Sequence, residues 1–131
     1  MTDWSTLAAI AVGGALGALS RFGLGHAFPR PPGGFPVTTL VINVVGCLLI
    51  AVLTVLITET RQAGPLVRPF LSAGFLGGFT TFSTYAVDIL QVIDEGHPRI
   101  ALAYLLLTPL LALLAVLAGL RLTRQATRGR P

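Results

Sequence analysis

Four apolar segments, at about residues 5–25, 36–57, 67–92 and 99–121, leave this chain few folds to choose from. Each is near or above the roughly 20 residues that a helix needs to cross a bilayer. Hydrocarbon offers no water to backbone N–H and C=O groups, so spanning segments must satisfy them internally, as helices do. The expected fold is an all-α membrane protein with four transmembrane helices, forming one domain over residues 1–131. Between the segments lie "PRPPGG" (29–34), "TETRQAGP" (58–65) and "DEGHPR" (94–99), whose prolines, glycines and charges predict short turns at the water interface. Short turns make neighbouring helices antiparallel.

Composition excludes the main alternatives. Charged residues make up 11% of the chain and hydrophobic ones 53%, against about 25% charged in soluble domains. The mean hydropathy is +0.82. All nine basic residues are Arg, and they flank apolar segments, where positive side chains meet headgroups. There is no basic face with interleaved aromatics, so nucleic acid is not an expected partner. A single cysteine, Cys47, can build neither an intrachain disulfide nor a zinc cluster. With no nucleophile elbow and no phosphate loop either, the chain reads as no enzyme.

The first segment begins at Asp3 rather than at a basic stretch, and its apolar run is too long for a signal peptide, so it reads as a retained helix. Gly13 and Gly17 give it a small-residue face on which another helix can approach closely. With four spans both termini share one side, which holds Arg61, Arg68, Arg121, Arg124, Arg128 and Arg130 against Arg21, Arg30 and Arg99 opposite. That bias favours termini in the cytoplasm. Arg21 closes the small-residue face of the first helix and reads as a snorkelling anchor.

Polar side chains inside such segments are costly and need partners, a water-filled cavity or a pathway. Asn43 in "TTLVINVVGCLL" brings two donors and an acceptor oxygen, open to a helix-packing bond or to a pathway. Tyr104 and Thr108 share a helix face four residues apart, followed by Pro109, which removes a backbone bond. Tyr104 also suits an interfacial belt. The stretch "GFLGGFTTFSTY" (74–85) puts three glycines and four aliphatic hydroxyls into the third segment. Either it is a glycine-rich packing face, or Gly77 and Gly78 break the helix and Thr80, Thr81, Ser83 and Thr84 cap the halves. A break frees carbonyls that suit a cation. Phe82 and Tyr85, three apart, would face one way, and their positive ring edges can line an anion path without a fixed charge.

These residues resemble the Fluc or CrcB family of fluoride channels over the whole chain. "GGALGALSRF" (13–22), "TTLVINVVG" (38–46) and "GFLGGFTTFSTY" (74–85) are similar to the family's first-, second- and third-helix motifs. The resemblance implies a four-helix subunit in the cell membrane, its third helix broken mid-membrane, paired as an antiparallel dual-topology dimer with two pores. It further implies a structural sodium ion held by the backbone carbonyls of Gly77 and Thr80 from both subunits. Asn43, Phe82, Tyr104 and Thr108 fall on the implied fluoride path, with Tyr85, Ser83 and Thr84 beside them. The implied function is passive, selective fluoride export from the cytoplasm. Two positions depart from the family: Tyr85 stands where a second Phe is usual, and Ala112 where a polar residue is expected. The Arg bias leaves a homodimer and a heterodimer with a homologue both open. A small four-helix multidrug and proton exchanger is the other transporter of this size, but it requires a carboxylate in the first helix, and the one acid placed within a span is Asp88, late in the third segment.

Overall fold

The computed structural model describes residues 3–60 and 63–129. Among these there is no strand, and the helices follow the apolar segments. Helix α1 is Trp4–Ala27, opened by Asp3, whose carboxylate accepts the Ser5 N–H at 3.3 Å, and closed at Phe28, whose N–H returns to Leu24. The Pro- and Gly-rich turn leads into α2, Val37–Thr60, and Thr38 Oγ1 donates to the Phe28 carbonyl at 2.6 Å, tying the two helix ends together. Next comes α3, Pro69–Leu76, wound as a π-helix and continued by one α-turn, Gly77–Phe79. The chain then leaves helical geometry and resumes in α4, Ser83–Asp94. A tight turn with Gly96 at φ 84° leads to α5, Pro98–Arg128.

Helices α1, α2 and α5 are long and apolar enough to cross a membrane. The third apolar segment is not a single span, because two half-helices share it. The twelve residues of α4 rise only about 18 Å, against a hydrocarbon thickness of about 30 Å. Three long apolar helices and a third segment split in two match the expected four-helix chain with its third helix broken.

Glycine brings α1 against the split helix. A Cβ added at Gly17 would overlap the Phe75 carbonyl and sit 2.8 Å from the Phe79 N, and one added at Gly78 would overlap the Gly14 carbonyl. Helix α5 lies along α2, with Gly119 against Ala51 and Leu48, and at their far ends Arg124 and Thr127 both bond Glu59. The interior is small, built on Ile42, Val55, Phe79, Tyr85, Val92 and Tyr104. Only 11% of the α1 span is buried within the chain, so most of its apolar surface is left for lipid or another protein.

The expected Arg bias is only partly described. Arg68 precedes α3 and Arg121, Arg124 and Arg128 lie in the last turns of α5, while Arg61 and Arg130 lie outside the described residues. Arg21 takes the anchoring role expected of it, at the helix break. Its Nε donates to the Gly78 carbonyl at 3.2 Å and its Nη1 reaches Thr84 Oγ1 at 3.5 Å.

Candidate functional site

The helix break is held open by side chains. Thr80 takes an extended conformation, φ −76° and ψ 155°, while its N–H and its hydroxyl both donate back to the Leu76 carbonyl. Thr81 stands on the far side, where its Oγ1 accepts the Thr84 N–H at 3.1 Å and so caps the start of α4. From α2, Asn43 Nδ2 donates to the Thr81 carbonyl at 2.9 Å, and Asn43 Oδ1 accepts the Thr81 N–H at 2.8 Å. The amide thus pairs with one peptide as another peptide would. One of its N–H bonds remains for another acceptor.

These contacts decide which carbonyls are free. In an unbroken helix the Thr81 and Thr84 N–H groups would bond the carbonyls of Gly77 and Thr80. Here they bond Asn43 Oδ1 and Thr81 Oγ1 instead. The Gly78 and Thr81 carbonyls are satisfied by Arg21 and Asn43. Gly77 and Thr80 are therefore left with hard oxygen donors, and hard oxygens suit a hard cation. Two carbonyls are fewer than the about six oxygens such cations gather, so one chain offers part of a coordination shell.

Beside the break lies an open groove, a cavity of about 440 Å³ that is not enclosed within the chain. Asn43, Phe82, Tyr85 and Thr108 line it together with Gly77 and Thr80, and no charged side chain does. Thr108 Oγ1 is buried and has no hydrogen-bond partner among the described residues. Phe82 and Tyr85 pack with ring centroids 5.6 Å apart, and Tyr85 continues to Tyr104 at 5.1 Å and Tyr104 to Phe35 at 5.4 Å. Ala112, the expected departure, lines the cavity as a methyl group.

The remaining expected path residues lie elsewhere. Tyr104 is fully buried beneath Tyr85, not at an interfacial belt, and its hydroxyl donates to Asp88 Oδ2 at 3.1 Å. Ser83 is exposed, its hydroxyl 3.3 Å from Thr81 Oγ1. Thr84 faces a second, larger cleft of about 950 Å³, shared with Arg21, Arg30, Thr81 and Asp88. Sequence reasoning missed Thr81 as the partner of Asn43, Arg21 as a ligand of the break, and Cys47 as a lining residue of the smaller cavity. Cys47 follows Asn43 by four residues, one helical turn, and that spacing was the available signal.

At the mouth of the larger cleft the first and last turns are latched. Arg30 grips Glu95 with two 2.9 Å bonds, and Glu95 Oε2 also accepts the Gly33 N–H at 2.6 Å, where Gly33 holds φ 68°. The Arg30 guanidinium, with help from that N–H, pulls the Glu95 carboxyl down to about 2.

The family profile described as CrcB-like protein, Camphor Resistance (CrcB), matches residues 8–120. A fluoride-specific ion channel FluC 2 of Streptomyces avermitilis is 54% identical over 102 residues, which is 78% of this chain and 65% of the relative. FluC 1 of Streptomyces coelicolor is 51% identical over 88% of this chain and 75% of its own length. FluC 2 of Nocardia farcinica is 47% identical over 95% of this chain and 89% of its own.

Proposed function

This chain belongs to the CrcB family, and from that premise we propose that it is a fluoride-selective channel that lets the anion leave the cytoplasm passively. It is a multi-pass membrane protein and not an enzyme, as its channel relatives and its apolar helices agree. The observation that carries the proposal is the uncharged cavity beside the break. There the unpartnered Thr108 hydroxyl, the spare Asn43 N–H and the rings of Phe82 and Tyr85 meet. Fluoride is small and strongly hydrated, so a selective pore must replace its water with several modest donors, whereas a fixed cation at close range would hold it. Ser83 and Thr84 would serve the approach to this cavity, and Tyr104 would support the ring of Tyr85 from beneath.

A structural sodium ion, not transported, fits the freed carbonyls of Gly77 and Thr80, and would fix the geometry of the break. Because one chain supplies part of a shell, a second subunit in antiparallel orientation completes it in this reading. Residues 1–131 then act as one four-helix channel unit. The driving force is the membrane potential. HF enters from weakly acidic surroundings as a neutral molecule and dissociates inside, and the negative interior drives the anion out without ATP.

A homodimer and a heterodimer with a homologue both fit this reading. Streptomyces avermitilis carries at least two related channels, named FluC 2 and FluC 3, so some organisms hold homologues that could pair. The test is reconstitution of the purified chain in sodium-containing liposomes with a fluoride electrode outside. Release by the chain alone supports the homodimer, and release only after a homologue is added supports the heterodimer. No release in either case contradicts the channel.

A further inference from the structure

Helix α5 passes through Pro109 without ending, although proline has no N–H to return to the carbonyl four residues back. That carbonyl belongs to Leu105, and the Tyr85 hydroxyl donates to it at 2.6 Å. Tyr85 is 8% exposed, its ring held between Phe82 and Tyr104, and both Tyr85 and Pro109 line the smaller cavity.

We propose that the Tyr85 hydroxyl is the substitute donor for the N–H that Pro109 lacks, which makes Tyr85 a positioning residue that locks α4 to α5 across the proline. A hydroxyl has one proton to give, and this one is engaged with Leu105. What Tyr85 offers the cavity is therefore its ring, and what its hydroxyl contributes is the fixed placement of that ring. Phenylalanine at this position would keep the ring and leave the Leu105 carbonyl without a donor inside an apolar helix, where no water replaces it, a cost that proteins generally avoid. The flux consequence rests on the fluoride-path reading; the lock itself does not.

The test is a double-mutant cycle of Tyr85→Phe and Pro109→Ala, read by thermal unfolding in detergent and by fluoride efflux from liposomes. Pro109→Ala restores the missing N–H, so Leu105 has a donor whatever stands at position 85. Tyr85→Phe in the native background is expected to lower the unfolding midpoint by about 3 °C and to slow efflux roughly threefold. In the Pro109→Ala background both differences should vanish. An equal cost in the two backgrounds, or no cost in either, overturns the proposal. Loss of efflux in the unmutated chain would reject the channel instead, and the unfolding midpoints would still report on the lock.

Discussion

Asn43 on α2 and Thr81 at the helix break are joined by two hydrogen bonds, 2.9 Å and 2.8 Å long, so that a side-chain amide completes a backbone that the helix has abandoned. The bonds cross 38 residues of sequence. They divert the Thr81 N–H from the Gly77 carbonyl, and they hold Asn43 at the cavity wall with one N–H to spare. Structural clamp and candidate anion donor are the same side chain.

Replacing Asn43 should therefore act twice. Asn43→Ala leaves both Thr81 groups unpaired and should cost about 1–3 kcal/mol of stability, measured by thermal unfolding in detergent. Asn43→Asp keeps an acceptor for the Thr81 N–H but sets a carboxylate oxygen against the Thr81 carbonyl and a negative charge on the proposed path. Fluoride efflux should then fall by more than about tenfold. Undiminished efflux in Asn43→Asp would remove Asn43 from the path.

Thr108 separates fold from function more cleanly, because its hydroxyl has no partner among the described residues to lose. Thr108→Val should leave the unfolding midpoint unchanged or slightly raised, since a buried orphan hydroxyl is a liability. Efflux should slow about fivefold, the effect of one modest hydrogen bond. A midpoint that drops with efflux unchanged would make Thr108 a packing residue.

Close backbone approach is what Gly13 and Gly17 of α1 provide, and two substitutions distinguish that role from simple helix propensity. Gly17→Ala drives a Cβ into the Phe75 carbonyl and should cost about 1–3 kcal/mol, since backbone cannot give way as a side chain can. Gly23→Ala meets nothing within 4 Å and should be neutral or stabilising by about 0.5–1 kcal/mol. Thermal unfolding of the two variants side by side checks the contrast.

Much of this is legible in the sequence for physical reasons. A bilayer demands contiguous apolar residues, so the helical segments are visible, and Gly77, Gly78 and the hydroxyls that follow mark the break because few residues tolerate one there. Asn43 and Thr108 stand out as polar groups in hydrocarbon. The partners of Asn43 and Arg21 are not legible, since a hydrogen bond to a residue 38 or 57 positions away depends on how helices pack. Arg21 shows the limit best. Its place near a helix end suggests a snorkelling anchor, yet the neighbouring break offers it a carbonyl that no helical N–H reaches. The role of the Tyr85 hydroxyl is hidden for the same reason, as Pro109 and Tyr85 meet only after α4 folds against α5.

The latch of Glu95 on Arg30 and Gly33 carries a pH dependence of known sign. Its carboxyl is depressed in the folded chain from an ordinary 4.5 to about 2, so the latch contributes fully above pH 4.5 and is lost as pH falls from there through about 2. The Gly33 amide, bonded to Glu95 Oε2, should be protected from hydrogen exchange at neutral pH and lose that protection across this window. Glu95→Gln should lower the protection at neutral pH. Protection that ignores both pH and the substitution would show that the carboxylate is not what holds the turn.

The central claim is anion selectivity, and the most direct measurement of it is the reversal potential of the purified protein in a planar bilayer with opposed fluoride and chloride gradients and sodium on both sides. The potential should follow the fluoride gradient, shifting by about 59 mV for each tenfold change and ignoring chloride. A reversal potential set by chloride, or by both anions alike, would contradict it.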